Sequence, residues 1–344
     1  MGIGVAAVGC GYWGPNVIRN LAELSGFDLR CICDSDPERL AATACRYPGA
    51  RATTFMGDVL ADERAQAIYL ATPVSTHYAL VKDALLAGKH VLVEKPLATA
   101  VEEAEELATL AESRGLTLMV GHTFVFSPPV RKVKALIDHG LVGPIYYIET
   151  TRVNLGLFQK DVSVLWDLAP HDLSILLYWL GEVPVNVSAR GRSFQGEPLE
   201  DVAFLTVEFP SQVLAQIQVS WLAPSKLRRT SVVGRHRMVV YDDLEPVEKV
   251  KIYDRGVERQ PDSFGEFQLT YRSGDILSPQ LDTTEPVRLE CAHFLECIHT
   301  GREPDTGARS AVDVVRVVQA AERSLRSGGA PQHVETPAAV LVAP

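Results

Sequence analysis

The stretch IGVAAVGCGYWGPN, residues 3–16, decides the fold. Its first six residues are small or apolar, as in a β-strand buried on both faces, and a helical pattern begins after the last glycine. Between the two, Gly9, Gly11 and Gly14 have the G-x-G-x-x-G spacing of a dinucleotide-binding turn. The first glycine allows a tight turn, the second lets the backbone approach a pyrophosphate, and the third lets helix and strand pack closely. A glycine-rich strand–helix turn without a ligand is the alternative interpretation.

A carboxylate at the right distance supports the dinucleotide interpretation. Asp34 ends the second predicted strand, 20 residues beyond Gly14. A carboxylate there accepts both ribose hydroxyls of the adenosine half and repels a 2′-phosphate. We therefore predict NAD rather than NADP as the cofactor, with Tyr12 and Trp13 of the same turn also in contact with it.

Composition excludes several classes of protein. The chain has 344 residues, 47% of them hydrophobic and 22% charged, which fits two globular domains and no disordered or fibrous protein. The net charge of −10 argues against a nucleic-acid partner, because such affinity comes from clustered basic side chains. We find no apolar run of the ~18 residues that span a bilayer and no secretory signal. The six cysteines show no paired framework, so we expect a cytoplasmic protein with reduced thiols.

The pattern of predicted elements changes near residue 122. Before it, short apolar strands alternate with amphipathic helices, which is typical of parallel βαβ units. After it, alternating strands follow one another with tight turns, interrupted by a predicted helix at 170–180. We therefore predict an α/β protein: a Rossmann domain over 1–122, an α+β domain with a large open, mainly antiparallel sheet over 123–328, and a loosely attached tail over 329–344.

Two polar segments follow predicted Rossmann strands, at the edge of the sheet where ligands bind. In the segment 72–77 we assign Thr72, Pro73 and His77 to the cofactor; a helix cap by Thr76 is the structural alternative. In the segment 94–96, Glu94 and Lys95 come directly after a buried strand, and we assign both to the cofactor side of the site. The Lys95 ammonium could also donate to a substrate hydroxyl, although a surface turn lysine would leave the same pattern.

A second polar constellation lies in the later half of the chain. Asp167 and His171 are four residues apart beside Trp166 and before a stripe of leucines. An imidazole near a carboxylate is a suitable proton carrier, but the same spacing also occurs in simple capping or salt bridges. We predict no metal, because no third or fourth ligand stands at useful spacing.

Taken together, residues 9–16, Glu94-Lys95-Pro96, and Asp167 with His171 resemble the Gfo/Idh/MocA family of oxidoreductases over about residues 2–328. The resemblance implies that Lys95, Asp167 and His171 are catalytic. It also implies a homo-oligomer, dimer or tetramer, formed through the sheet of the second domain. The usual D-x-G-x-H pattern has Ala169 in place of glycine here.

The stretches 121–124, 152–156, 241–246 and 271–276 are similar to the branch of the family that oxidises the 3-hydroxyl of sugars ahead of an aminotransferase. On this resemblance we assign substrate contacts to His122, Phe124, Arg152, Asn154, Trp166 and His171, with a sheet-face pair as the alternative for Arg152 and Asn154. The expected substrate is a sugar, either nucleotide-linked or part of an aminoglycoside antibiotic. An inositol or aldose dehydrogenase or a ketoreductase of the same family is one competing hypothesis, and a non-catalytic NAD sensor is another.

Overall fold

The computed structural model describes residues 2–156, 158–159, 162–196, 198–261 and 267–335. The chain divides into two compact units. The first comprises Met1–Ser127 and Thr284–Arg316, and the second Pro128–Thr283 and Val317–Pro344. The predicted domains were contiguous, whereas a late segment of the chain belongs to the first unit.

The first unit contains a Rossmann sheet of six parallel strands. Its elements before residue 128 are β1 (Ile3–Val8), α1 (Gly14–Glu23), β2 (Phe27–Cys33), α2 (Pro37–Ala44), β3 (Arg51–Thr53), α3 (Met56–Ala61), β4 (Ala67–Leu70), α4 (His77–Leu86), β5 (His90–Glu94), α5 (Val101–Ser113) and β6 (Leu118–Gly121). The strand order is β3-β2-β1-β4-β5-β6. The order reverses between β1 and β4, and ligands of open α/β sheets bind at the carboxyl ends of strands at such a point.

The second unit contains the predicted large sheet. Its elements are α6 (Pro128–Asp138), β7 (Ile145–Leu155), α7 (Val164–Leu180), β8 (Asn186–Arg192), β9 (Val202–Glu208), β10 (Leu214–Ser220), β11 (Leu222–Gly234), β12 (Met238–Asp242), β13 (Val250–Pro261) and β14 (Phe267–Leu277). The order is β14-β13-β12-β11-β7-β10-β9-β8, and every pair is antiparallel except β7 with β10. Residues alternate along β7, β9 and β10, so that one face is buried and the other exposed.

Helix α7 starts earlier than the helix predicted at 170–180. It begins at Val164, so Pro170 lies in its interior rather than in its first turn. An interior proline removes one helical hydrogen bond. Burial of Leu165, Ala169 and Leu173 on both sides of the proline supports a continuous helix against the sheet.

The late segment of the first unit contains α8 (Pro286–Thr300) and the start of α9 (Ala308–Arg326). Helix α8 packs on α1, where the Arg19 guanidinium donates to both Glu285 carboxylate oxygens at 2.7 and 2.8 Å. Phe294 stacks on Phe27 of β2 with ring centroids 6.3 Å apart. These contacts are distant in sequence, which explains why periodicity could not assign the segment to the Rossmann unit.

The predicted tail begins with a strand. β15 (Gln332–His333) pairs with β8 and adds a ninth strand to the sheet, so the tail is attached at this point. Residues 336–344 of the predicted tail lie outside the described residues. Among the helices that are described, none combines the length and apolar character needed to cross a bilayer.

Candidate active site

The glycine turn has the geometry that its spacing predicts. Gly9 has a φ of +100°, and a Cβ there would lie 2.2 Å from the Ala71 carbonyl oxygen. A Cβ on Gly14 would lie 2.0 Å from the Gly9 carbonyl oxygen, so this glycine allows the strand and helix to approach. A Cβ on Gly11, by contrast, would point into open space. Packing within the described chain therefore explains Gly9 and Gly14 of this turn but does not explain Gly11.

The helix that follows the turn presents its amino end without a side-chain cap. Trp13 is the N-cap residue of α1 and, in the described structure, makes no cap hydrogen bond with its side chain. Tyr12 is 88% exposed. Uncapped N–H groups at a helix amino end favour an anion, because they carry the positive end of the helix dipole.

Asp34 is fixed at the end of β2 by backbone donors. Its Oδ2 accepts from the Cys10 N–H at 2.6 Å, and its Oδ1 accepts from the Asp36 N–H at 2.8 Å. The side chain is buried beside the glycine turn. The carboxylate is thereby held in one orientation, as a ribose ligand requires.

In the loop after β4, the side chain of Thr76 does not cap helix α4, which was the alternative interpretation. Thr76 occupies the N-cap position of α4, but its hydroxyl lies 2.7 Å from the Pro73 carbonyl oxygen and 2.8 Å from the Thr72 hydroxyl. His77 is 1% exposed, and its ring nitrogens face the Pro96 and Thr72 carbonyl oxygens. At the edge of the sheet Thr72 is half-buried and Pro73 is exposed, whereas His77 is fully buried.

Glu94 and Lys95 leave the carboxyl end of β5, and the Lys95–Pro96 peptide bond is cis. The Tyr69 hydroxyl donates to Glu94 Oε1 at 3.0 Å. Burial raises the pKa of Glu94 to about 7, against the opposing effects of Tyr69 and Lys95. Gly121 of β6 pairs with Glu94, and a Cβ there would lie 3.1 Å from both carboxylate oxygens.

His122 follows the neighbouring strand β6 at the same edge. Its side chain is 2% exposed, and no described residue forms a hydrogen bond with its Nδ1. Burial, with a smaller effect of the Lys95 charge, lowers the pKa of His122 to about 3. The lowered pKa favours the neutral imidazole, which is a weak base. Phe124 lies in the short 3-10 turn that follows.

Glu290 is a buried acid that the sequence analysis missed. It lies on α8, is 1% exposed, and its Oε2 accepts from the Thr123 hydroxyl at 2.9 Å. Burial and the nearby Glu94 carboxylate raise the pKa of Glu290 well above its ordinary range. The signal was present in the sequence, because Glu290 interrupts an apolar helix face that includes Val287, Cys291 and Phe294.

In the second unit, helix α7 carries Trp166, Asp167 and His171. Asp167 and His171 are separated by one helical turn and lie on one side of the helix. The Trp221 indole N–H donates to Asp167 Oδ2 at 3.1 Å. His171 is half-buried and Trp166 is buried.

Arg152 and Asn154 lie on β7 and differ in their surroundings. Arg152 is 4% exposed, and its Nε and Nη2 donate to the Asp172 carboxylate at 2.7 and 3.1 Å. Burial disfavours the charged guanidinium, but Asp172 holds the pKa of Arg152 above its ordinary value. Asn154 is half-buried further along the strand. Arg152 thus forms its ion pair with helix α7, not with Asn154 of its own strand.

Comparison with known proteins identifies the family. Residues 3–122 match the GFO/IDH/MocA model described as an oxidoreductase family with an NAD-binding Rossmann fold, and residues 130–240 match the GFO/IDH/MocA C-terminal domain. The chain belongs to the GFO/IDH/MocA oxidoreductase family. The resemblance predicted from the motifs is confirmed, as is the combination of a Rossmann domain with a second, sheet-based domain.

Several relatives within the GFO/IDH/MocA family are similar over most of the chain. UDP-N-acetylglucosamine 3-dehydrogenase of Acidithiobacillus ferrooxidans is 30% identical over 74% of this chain and 78% of its own. The scyllo-inositol 2-dehydrogenase (NAD(+)) of Bacillus subtilis is 27% identical over 94% of each chain. GenD2 from gentamicin A biosynthesis, solved in complex with NAD, has a TM-score of 0.82 at 26% identity over 97% of each chain.

The residues of this GFO/IDH/MocA protein fit the NAD that its Rossmann domain binds. The open space at Gly11 and the uncapped start of α1 suit a pyrophosphate, and the fixed Asp34 carboxylate suits the adenosine ribose. The predictions of NAD and of an NAD-dependent oxidoreductase are confirmed at the level of the family. In the described part of the chain, no group of three or more His, Cys, Asp and Glu side chains is arranged to hold a metal ion.

Proposed function

We propose that this protein is an NAD-dependent dehydrogenase that oxidises a secondary hydroxyl, at C3 of a sugar or sugar-containing molecule, to a ketone. The observation that carries the proposal is the pair of side chains after β5 and β6. Lys95 supplies a cation and His122 a neutral imidazole at the same edge of the Rossmann sheet. Such a pair suits the oxygen atoms of an alcohol, which both donate and accept hydrogen bonds.

In the proposed mechanism, each residue has one task. Lys95 donates to the substrate oxygen and favours the negative charge that develops on it. His171 takes the hydroxyl proton as general base, and Asp167 orients the ring and stabilises the imidazolium that forms. Bound NAD supplies the acceptor for the hydride that leaves the carbinol carbon. His122 is a poor base because its pKa is lowered, so its imidazole positions a substrate hydroxyl rather than accepting the proton.

The contacts of two arginines bear on the kind of sugar. Arg152 on β7 and Arg272 on β14 are the candidates for binding the diphosphate of a nucleotide-sugar. Arg152 is buried against Asp172, and Arg272 is hydrogen-bonded to Asp254 and to the His236 carbonyl oxygen. Both are already engaged, and the net charge of −10 is more compatible with a cationic than with an anionic ligand. We therefore favour an aminoglycoside-type sugar, as in antibiotic biosynthesis, with the ketone consumed by transamination.

A panel of substrates tests this proposal. The purified protein is mixed with NAD and with an aminoglycoside pseudodisaccharide, UDP-N-acetylglucosamine, scyllo-inositol, an aldose or no sugar, and reduced cofactor is followed by absorbance. We expect turnover with the aminoglycoside. Turnover only with inositol or the aldose favours the second candidate, an inositol or aldose dehydrogenase like the Bacillus relative. NAD binding without turnover of any compound favours a non-catalytic sensor.

We also propose that the protein is a homo-oligomer in the cytoplasm, formed through the exposed face of the second sheet. Tyr147, Phe204 and Leu214 are each 44–49% exposed there, while the next residue along each strand is buried on the opposite face. An exposed apolar sheet face is typical of an interface. Light scattering of the wild type and of Leu214→Arg tests this, because the charge should dissociate the assembly and leave a monomer of 37.6 kDa.

A further inference from the structure

His77 is held between two loops of the Rossmann unit by its two ring nitrogens. Its Nδ1 lies 2.8 Å from the carbonyl oxygen of Pro96, in the loop after β5. Its Nε2 lies 2.9 Å from the carbonyl oxygen of Thr72, in the loop after β4. The side chain is 1% exposed, so bulk water does not compete for these contacts.

The two contacts require two protons on the ring. A carbonyl oxygen only accepts hydrogen bonds, whereas a neutral imidazole has a single N–H and an unprotonated nitrogen that also accepts. A neutral His77 would therefore place one nitrogen lone pair against a carbonyl lone pair at hydrogen-bond distance. Rotating the ring by half a turn would place C–H groups in these two positions. The distances to the carbonyl oxygens would then be too short, because C–H···O contacts are about 3.3–3.6 Å long.

We propose that His77 is a buried imidazolium that ties the loop after β4 to the loop after β5, and so acts as a positioning residue for Lys95. Its carbonyl partner Pro96 is the next residue after Lys95, so the clamp fixes the backbone from which the ammonium extends. The functional half of this inference rests on the role proposed for Lys95. The charge on His77 does not.

Several charges around the clamp act in opposite directions. His77 is the first residue of α4, where the helix dipole disfavours a cation, and burial does the same. Two residues of opposite charge type, Glu94 and Lys95, directly precede Pro96 in the chain. The two charge-assisted hydrogen bonds to carbonyl oxygens are what stabilise the imidazolium against these effects.

His90 provides a matched internal control in the same unit. Its Nδ1 accepts a hydrogen bond from the Thr117 backbone N–H at 2.9 Å, so this nitrogen carries no proton. Burial lowers the pKa of His90, in agreement with a neutral ring. The buried His77 and the half-buried His90 should therefore differ in protonation under the same conditions.

The charge is tested by nitrogen NMR of the full-length protein with ¹⁵N-labelled histidine at neutral pH. Signals are assigned by their loss in His77→Gln and in His90→Gln. We expect both ring nitrogens of His77 to have shifts and proton couplings of the protonated type, while His90 shows one unprotonated nitrogen. An unprotonated nitrogen in His77 would overturn the proposal, whatever the activity of the enzyme.

The positioning role is tested by kinetics with the substrate identified by the panel. We expect His77→Gln, which keeps one donor but no charge, to lower kcat by about ten- to a hundredfold through misplacement of Lys95. Loss of the contact to Thr72 should also weaken NAD binding, but by no more than about threefold, since the glycine turn and Asp34 are untouched. His90→Gln should retain wild-type kcat. If Lys95→Ala retains full turnover, the proposed function fails but the NMR result stands; if Lys95→Ala is inactive and His77→Gln is not impaired, only the clamp is wrong.

Discussion

The Arg152 guanidinium is paired in two places with the Asp172 carboxylate, Nε to Oδ2 at 2.7 Å and Nη2 to Oδ1 at 3.1 Å, and both side chains are at most 5% exposed. The Thr150 hydroxyl donates to the same Oδ1 at 3.0 Å. Asp172 is the residue after His171 on α7, whereas Arg152 and Thr150 belong to β7. The pair therefore anchors the helix that carries the proposed base to the sheet beneath it.

Breaking this pair should be costly. We expect Arg152→Met to reduce the free energy of unfolding by about 3–5 kcal/mol, because it leaves the Asp172 charge buried without its partner. Urea unfolding measures the change. The double variant Arg152→Met, Asp172→Leu should recover much of the loss, since an apolar pair of similar volume replaces a buried ion pair at little cost. A double variant as unstable as the single one would show that Arg152 acts by other contacts.

Two glycines of the turn should respond differently to alanine. Gly11→Ala places its Cβ in open space, so we expect wild-type thermal stability and weakened NAD binding. Gly14→Ala places a Cβ 2.0 Å from the Gly9 carbonyl oxygen and should destabilise the protein by roughly 1–3 kcal/mol, as overpacking does. Thermal unfolding and NAD titration separate the two effects. Unchanged NAD affinity in Gly11→Ala would remove the pyrophosphate from this position.

Asp34 should control the choice between the two nicotinamide cofactors. Asp34→Arg removes the carboxylate that suits the ribose hydroxyls and adds a cation that suits a 2′-phosphate, so preference should shift toward NADP. The comparison is the ratio of kcat/KM with NAD and with NADP. Asp34→Asn serves as the control, because it removes the charge without adding a cation and should weaken NAD binding only. An unchanged ratio in Asp34→Arg contradicts the ribose assignment.

His171 should matter for turnover and not for cofactor affinity. We expect His171→Ala to lower kcat by roughly 10²- to 10⁴-fold, the range for general acid–base catalysis, with the NAD dissociation constant unchanged. Stopped-flow hydride transfer and NAD titration measure the two quantities. Wild-type turnover in this variant would show that another group takes the proton.

Glu290 should make stability depend on pH. Its pKa is raised in the folded state, so the folded protein binds the proton more tightly than the unfolded chain does. Stability is then full below the ordinary glutamate pKa and is lost as pH rises toward the raised value. Glu290→Gln removes this loss and keeps an acceptor for Thr123, so its melting temperature should fall less between about pH 5 and pH 8 than that of the wild type.

The control for this prediction is Glu102→Gln. Glu102 is an exposed glutamate on α5, and its replacement should leave the pH dependence of melting unchanged. Equal slopes in wild type and Glu290→Gln would mean that Glu290 is not the group that loses its proton.

Local sequence determined those features in which each residue's partners are near it in the chain. The strand from Ile3 to Val8, the three glycines and Asp34 form one short βαβ unit, so their spacing sufficed to predict the turn and its cofactor. The predicted start of α7 was wrong, because proline is usual in a first helical turn. Only the burial of the residues before Pro170 extends the helix to Val164.

Tertiary structure decided which polar groups are free to bind and which are engaged. Arg152 is paired with Asp172, and the ring nitrogens of His77 contact two carbonyl oxygens. Glu290 is buried and accepts a hydrogen bond from Thr123. Apart from the contact between His77 and Thr72, which are five positions apart, these pairings join residues 19 to 167 positions apart, and spacing cannot predict them. The charge and availability of a buried side chain depend on desolvation and on its partners across the fold, and neither exists before the chain is packed.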